Sequence, residues 1–280
     1  MSQDLESSLN AQYGPSNLGD RILQAMVGAG KDVGTLSRED LEGCSEFHIG
    51  GRPATRMLAE IAKIGKGTKV LDVGSGLGGA ARTLASEFGA TVTGVEISTS
   101  YHEAAQVLTE KVGVEGVTHI NGNALALPIE DASVDVVWLQ HVQMNIEDKA
   151  ALAKSIRRVL KPGGRLAWHG IVRGTNPQGV RYPVPWADSA ELSHLVGVDA
   201  LKAHFADAGL QLMDDSWRDM NAAAMDFFAQ AKAKSAALAP EQRLGLNLLM
   251  GDSAMQKLPN LKANIKSKRV SVYMGVFEAQ

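Results

Sequence analysis

The segment Asp72-Val73-Gly74-Ser75-Gly76-Leu77-Gly78-Gly79 constrains the fold more than any other part of this chain. It ends the short apolar run Lys69-Val70-Leu71-Asp72-Val73, which reads as a buried strand. It opens the stretch Gly78 to Phe88, where Ala81, Leu84, Ala85 and Phe88 recur at helical spacing. Glycines let the backbone turn sharply between strand and helix and let a ligand approach it closely. A strand, a glycine-rich turn and a helix in that order begin a parallel α/β unit.

The residues downstream repeat the alternation. Thr91-Val92-Thr93-Gly94-Val95, Val117-Thr118-His119-Ile120, Val134 to Leu139 and Arg165 to Val172 predict further strands. Tyr101 to Val112 and Glu147 to Leu160 predict helices, the second stopped by Pro162-Gly163-Gly164. Apolar strand runs alternating with helices imply a parallel sheet covered on both faces, with ligands at the carboxyl ends of its strands. The flanks differ in character. Residues 1–65 are polar and read as helical, with breaks at Gly14-Pro15 and Gly50-Gly51. After Val172 comes a Gly/Pro-rich loop, Arg173 to Pro185, then an Ala-, Leu- and Met-rich zone in which 222–239 reads as a helix.

Two ligand classes compete for the glycine turn. Gly74, Gly76 and Gly79 satisfy the dinucleotide pattern G-x-G-x-x-G, and Glu96 lies where an acid can accept hydrogen bonds from ribose hydroxyls. Asp72, however, sits two residues before Gly74, where dinucleotide folds keep an apolar residue. A buried acid beside phosphates is repelled, whereas it suits a ligand carrying a sulfonium and an amino group. The lysine of a P-loop is missing, and so is a Tyr-x3-Lys dehydrogenase pair, since Tyr101, Tyr182 and Tyr273 are followed four residues on by Ala105, Trp186 and Phe277.

Val70 to Gly78 resembles the first motif of class I S-adenosylmethionine-dependent methyltransferases. Glu96, Gly122-Asn123-Ala124, Asp135-Val136-Val137 and Leu160-Lys161-Pro162-Gly163-Gly164 resemble the later motifs in order. Glu46-Phe47-His48-Ile49-Gly50-Gly51-Arg52 is similar to the lead-in of the small-molecule branch, which includes sarcosine/dimethylglycine and phosphoethanolamine N-methyltransferases. The resemblance implies a Rossmann-like, seven-stranded, mostly parallel sheet with helices on both faces and a helical cap. It divides the chain into a cap segment 1–44, a cofactor-binding core 45–172, a lid or cap insert 173–269 that returns a strand at 210–217, and a last strand at 270–280. Val270 to Phe277 is then expected to run antiparallel beside the fifth strand.

The same resemblance implies roles. Backbone at Gly74, Gly76 and Gly78 contacts the methionine part of S-adenosyl-L-methionine, and Asp72 acts near its amino group. Glu96 holds the ribose, Ile97 packs on adenine, Asn123 and Ala124 bracket the adenine edge, and Gln140 meets the methionine end. Asn123 departs from the family acid, but its amide oxygen still accepts a hydrogen bond. The expected activity is methylation of a small-molecule acceptor, an amine nitrogen ahead of oxygen or carbon. The alternatives are a dinucleotide oxidoreductase and a non-catalytic S-adenosylmethionine-binding module.

Methyl transfer from a sulfonium needs alignment, and a hydroxyl or ammonium acceptor also needs a proton acceptor. Candidates are Tyr13, His48 and His141, with Gln143 as an orienting group; His169, inside the fifth strand, reads as a buried structural histidine. Arg173 and Arg181 read either as anchors for a substrate anion or as solvated loop charges, and Trp186 either as a wall for an amine or as a loop anchor. Asp131 and Asp135 are too few for a metal site, and none is expected.

Composition narrows the rest. A single cysteine, Cys44, excludes an internal disulfide framework, a cysteine-rich metal site and cysteine-dependent methylation of arsenite or cytosine. A net charge of −3 is not that of a nucleic-acid binder. No run of about 18 apolar residues predicts a membrane span, and the acidic, polar start is not a signal peptide. The expectation is a cytoplasmic monomer or homodimer whose partner is a small-molecule acceptor, without nucleic acid or membrane.

Overall fold

The computed structural model describes residues 17–46, 48–237 and 254–280. Helix α1 (Leu18–Gly28), a short turn of helix α2 (Glu42–Ser45) and α3 (Gly51–Ile61) lead into the sheet. Then follow β1 (Lys69–Val73), α4 (Gly79–Phe88), β2 (Thr91–Glu96), α5 (Thr99–Lys111), β3 (Val117–Asn121), β4 (Val134–Gln140), α6 (Lys149–Val159) and β5 (Leu160–Arg173). The chain continues through α7 (Val198–Asp207), β6 (Leu210–Leu212), β7 (Arg218–Asp219), α8 (Asn221–Ala236), α9 (Ala254–Lys266) and β8 (Val270–Ala279).

Both faces of the central strands are buried, which is why their sequences read as continuous apolar runs. Val70, Val92, Val136 and Trp138 face α3 and α4, where Leu58, Ala59, Ala81 and Leu84 meet them. The alternate residues Leu71, Val73, Val137 and Leu139 face α6 and α7, against Leu152, Ile156, Leu201 and Phe205. A third cluster packs Leu18, Ile22 and Met26 of α1 on Tyr101, Ala104 and Leu108 of α5 and on Leu77 of the glycine turn.

The strand order is β3-β2-β1-β4-β5-β8-β6, with β7 also paired to β8. Strands β1 to β5 are parallel, and β8 is antiparallel to β5 with Val270 opposite Arg173, as the resemblance implied. The strand count is a correction: the sheet has eight strands, not seven. The stretch read as one strand over 210–217 holds only β6, and β7 follows it at 218–219; both pair with β8, separated because the chain turns at Asp214-Asp215, where Asp215 has φ 59°. Strand β5 also starts earlier than expected, at Leu160, and absorbs Lys161-Pro162-Gly163-Gly164. Its pairing with β4 shifts register there, and the Lys161–Asp135 ion pair (2.6 Å) ties the irregular start to β4.

The insert after β5 is held down rather than loose. Val184 and Trp186 are buried in the core, with the Trp186 indole N–H donating to Ser193 Oγ (2.9 Å). Asn264 of α9 clamps the backbone of Arg181 from both sides, and Asn260 Nδ2 donates to the Pro183 carbonyl (3.0 Å). Trp186 is therefore a loop anchor, and Arg173 reaches the Leu195 carbonyl (2.7 Å), not a cleft.

Candidate active site

In a parallel sheet the strand order reverses where two neighbours send their connections to opposite sides, and a crevice opens there. Here the reversal lies between β1 and β4, and a cleft opens at their carboxyl ends. Its floor is the glycine turn. The Gly74 and Ser75 amides donate to the Val95 carbonyl (2.7 and 3.1 Å), locking the turn onto β2. Gly74, Gly76 and Gly78 all have positive φ, but they serve different ends. A Cβ on Gly76 would meet open space, so this is where a ligand can lie against the backbone. A Cβ on Gly74 would strike Val142 Cγ2 at 2.5 Å, so this glycine lets the β4 loop close over the turn. Gly78 lies off the cleft: it starts α4, and its Cβ would meet His119 and Arg82. The expected contact of Gly78 with a cofactor is thus not where the structure puts it.

Asp72 lines the cleft at the end of β1, 3% exposed, and its Oδ2 has no hydrogen-bond partner. Burial, and then the nearby Glu96 carboxylate, push its pKa up to about 7. Glu96, at the end of β2, accepts the Gly76 amide on Oε2 and the Ser98 amide on Oε1 (2.9 Å each). Burial raises it too, opposed by the amides of Ser98, Gly76 and Ile97. Each oxygen keeps a lone pair, so the carboxylate still has room for two hydroxyl donors. Ile97, Asn123 and Ala124 also line the cleft. Asn123 Oδ1 already accepts the Leu125 amide (2.9 Å), which sets its orientation and leaves one acceptor site.

The far end of the cleft belongs to β4, β5 and the lead-in segment. His48 and His141 line it, and His169 of β5 stands directly behind. The ring centroids are 4.6 Å apart for His141–His169, 6.2 Å for His48–His141 and 6.1 Å for His48–His169. His141 has φ 55°, a left-handed turn off β4 that brings its amide to the His169 carbonyl (2.8 Å). Burial lowers all three: His169 to about 3, His141 well below its ordinary value with His169 and His48 adding to the effect, and His48 less far. Gln140 lines the cleft, but its amide is held: Oε1 accepts the Trp138 indole N–H (3.0 Å) and Nε2 meets His169 Nδ1 (3.1 Å).

Two of the expected acceptor-side groups fall elsewhere. Gln143 is turned inward by the 3-10 turn Gln143–Asn145 and donates to the Ile171 carbonyl (2.7 Å), so it braces the β4 loop and does not face the cleft. Tyr13 lies outside the described residues. Ser45, Val142, Asn145 and Ile146, which belong to no sequence motif, also line the cleft, as does Tyr101; the one sequence signal for Asn145 is its polarity after an apolar strand. Cys44 is buried among apolar side chains, and burial pushes its thiol up to about 11. Asp131 and Asp135 are paired with Arg158 and Lys161 (2.6 Å each), and no group of acids, histidines or cysteine among the described residues is arranged to hold a metal.

Comparisons with known proteins agree with this geometry. Residues 71–168 match the methyltransferase domain family. The sarcosine/dimethylglycine N-methyltransferase of Aphanothece halophytica is 32% identical over 135 residues, 48% of this chain and 49% of that protein. The 27-O-demethylrifamycin SV methyltransferase of Amycolatopsis mediterranei is 32% identical over 165 residues, 56% of this chain and 59% of that protein. The chain thus spans about half the length of these curated relatives. A solved phosphoethanolamine N-methyltransferase 2 of Haemonchus contortus, in complex with S-adenosyl-L-methionine, superposes with a TM-score of 0.69 at 20% identity, covering 86% of this chain and 55% of that one. Residues 71–168 thus match a methyltransferase domain, set in the sheet order and glycine turn that the resemblance to class I S-adenosylmethionine-dependent methyltransferases implied.

Proposed function

We propose that this chain transfers a methyl group from S-adenosyl-L-methionine to a small-molecule acceptor. The observation that carries the reading is the pairing at the carboxyl ends of β1 and β2: Asp72 Oδ2 is buried without a partner, and Glu96 is preset by the amides of Gly76 and Ser98. A buried carboxylate oxygen left open is an unmet demand for a cationic donor. The amino group of the cofactor supplies one, and its ribose supplies hydroxyls for Glu96. The open space over Gly76 admits the chain between them, and Ile97 and Ala124 offer apolar surface for the adenine.

Bound there, the cofactor supplies a methyl group already activated on sulfur. The protein's part is alignment, exclusion of water and management of the acceptor's proton. With Asp72 and Glu96 assigned to the cofactor, the histidine end of the cleft is the described lining left to do the last. Acceptor selection is assigned to the lead-in residues Ser45 and His48 and to the β4 loop, because no residue of the 173–195 insert lines the cleft. The proposed division is a core of 45–172 and 270–280 flanked by segments 1–44 and 173–269, the latter returning β6 and β7 to the core sheet. No helix among the described residues is long and apolar enough to cross a membrane.

Titration calorimetry with S-adenosyl-L-methionine and with NAD tests the reading; binding of NAD and not of the sulfonium overturns it. Glu96→Ala removes two charge-assisted ribose contacts, a loss of about 2 kcal/mol net, and is expected to weaken cofactor binding about 30-fold. Release of S-adenosylhomocysteine in the presence of an acceptor separates the enzyme from a binding module.

A further inference from the structure

The hydrogen bonds around the three histidines fix where their protons sit. Thr55 Oγ1 donates to Glu46 Oε2 (3.0 Å), so toward His48 it can only accept. The Gly51 carbonyl can only accept as well. His48 Nε2 lies 3.1 Å from the first and 3.0 Å from the second, so Nε2 carries the proton and Nδ1 is a bare lone pair. On the other wall the Trp138 indole can only donate, so Gln140 presents its oxygen to Trp138 and its N–H2 to His169 Nδ1. His169 therefore carries its proton on Nε2, and that donor is buried with no partner. One neutral imidazole is preset as an acceptor and another as a donor, and His141 forms the third corner of the group.

Glu46 completes the arrangement. It is 3% exposed, and its oxygens take Arg52 Nε (3.2 Å), Thr83 Oγ1 (3.0 Å) and Thr55 Oγ1. It stands 3.7 Å from His48 Nε2, close enough to stabilise a proton arriving on the far side of the ring.

Resting on the methyl-transfer reading, we propose that the acceptor is an acidic oxygen, a phenolic or enolic hydroxyl, and that His48 Nδ1 takes its proton. The acceptor oxygen forms the bond to the methyl carbon as the carbon–sulfur bond breaks and its electron pair stays on sulfur. The hydroxyl proton passes to His48. The positive charge thus moves from sulfonium to an imidazolium beside Glu46, and leaves as a proton to water when the product departs. An ammonium acceptor fits this end poorly. The described lining not assigned to the cofactor, Ser45, His48, Tyr101, His141, Val142, Asn145 and Ile146, holds no carboxylate for a cation, and the buried donor left without a partner behind it, His169 Nε2–H, calls for an oxygen. His48 is the catalytic base; Glu46, Gln140 and His169 are positioning residues.

The groups facing His48 are Glu46, itself tied to Arg52, and the rings of His141 and His169. Burial holds His48 below its ordinary value of 6.5, against the pull of Glu46 and the Gly51 carbonyl. The base is therefore present above that lowered value and lost below it, so the rate rises with pH to a plateau that begins at lower pH than an ordinary imidazole would give.

The test uses the full chain with S-adenosyl-L-methionine, reading S-adenosylhomocysteine release with catechol, hydroquinone and 4-nitrophenol against sarcosine and phosphoethanolamine. Release is expected with phenols and not with the amines. His48→Gln keeps an N–H for Gly51 and Thr55 but has no basic lone pair. It is expected to lower kcat about 10³-fold on catechol, to lower it less on the more acidic 4-nitrophenol, to flatten the pH profile and to leave cofactor affinity unchanged. Glu46→Gln moves the profile to lower pH with KM little changed, an effect a merely structural role does not produce. Independently of turnover, two-bond ¹⁵N–¹H spectra are expected to show His48 and His169 as the Nε2–H forms. Methylation of the amines with the phenols inert, or a catechol rate indifferent to His48→Gln, overturns the inference while the methyl-transfer reading stands. Failure of the cofactor to bind strikes that reading instead.

Discussion

Asp72→Asn is expected to make the free protein more stable at neutral pH and the cofactor complex about 100-fold weaker. Asp72 is buried at the end of β1 with one carboxylate oxygen unpartnered, and its pKa is pushed from 3.8 to about 7. Between those values the unfolded chain has lost a proton that the folded chain still holds. Stability therefore falls as pH rises from about 4 to about 7 and is flat beyond. A displacement of about three units corresponds to at most about 4 kcal/mol. Asparagine resembles the protonated acid in shape and lacks this charge. A thermal scan at pH 8 should place the variant roughly 5–10 °C above the parent, and at pH 4 the two should coincide. Binding shows the opposite sign. A cationic amino group needs the ionised carboxylate, so affinity in the parent should rise as pH approaches about 7 and then level. The variant should lack that rise and lose about 3 kcal/mol of charge-assisted bonding, the source of the 100-fold figure. Equal stability at pH 8, or undiminished affinity, would show that Asp72 is not the site's reserved acceptor.

A residue that destabilises the fold while completing a site breaks a local rule, and such breaks are what a sequence shows best. Asp72 was legible because an acid inside the apolar run of β1 has no structural reason to be there. Glu96 was legible because its distance from Gly74 is set by one helix and one strand. The strands β1 to β4 were legible for the same kind of reason, since β1 and β4 are apolar runs and β2 and β3 are short β-branched runs whose boundaries depend on near neighbours. The start of β5 was not. Pro162-Gly163-Gly164 reads locally as a stop, but pairing with β4 and the Lys161–Asp135 contact extend the strand through it. The histidine wall was only half visible. His48 and His141 stood near motifs, whereas His169 reads from its strand alone as filler, and the Trp138–Gln140–His169 chain that fixes its proton joins two strands. Gln143 and Asn145 differ only in the phase of one 3-10 turn, which decides that the second faces the cleft and the first does not.

Gly79→Ala is expected to be the most damaging single methyl group in the glycine turn, although Gly76 looks equivalent in sequence. A Cβ on Gly79 would sit 2.1 Å from the Ser45 carbonyl oxygen, 2.6 Å from its carbon and 2.7 Å from Glu46 Cγ. Two of these atoms are backbone, so no rotamer change relieves the clash. Either α4 or the segment 44–46 must move. That segment delivers Glu46 to Arg52, Thr55, Thr83 and His48, so the shift disturbs a buried carboxylate along with the packing. Overpacking against main chain lies at the upper end of the usual 1–3 kcal/mol, and we expect about 3 kcal/mol, a fall of roughly 6–12 °C in Tm. A displacement of about 1 Å at the histidine end should lower turnover about 100-fold in what remains folded. Cofactor affinity should change little, because Gly79 does not line the cleft. Gly76→Ala should show the reverse. Its Cβ meets open space, so the folded protein bears only the strain of φ 54° on a residue with a side chain, about 1–2 kcal/mol. The new methyl group then occupies the surface the ligand needs, and affinity falls while stability is largely kept. Melting curves and cofactor titrations on the two variants separate the glycine that clears room for a ligand from the glycine that clears room for Ser45. A Gly79→Ala protein as stable as the parent would remove the lead-in segment from where the histidine wall requires it.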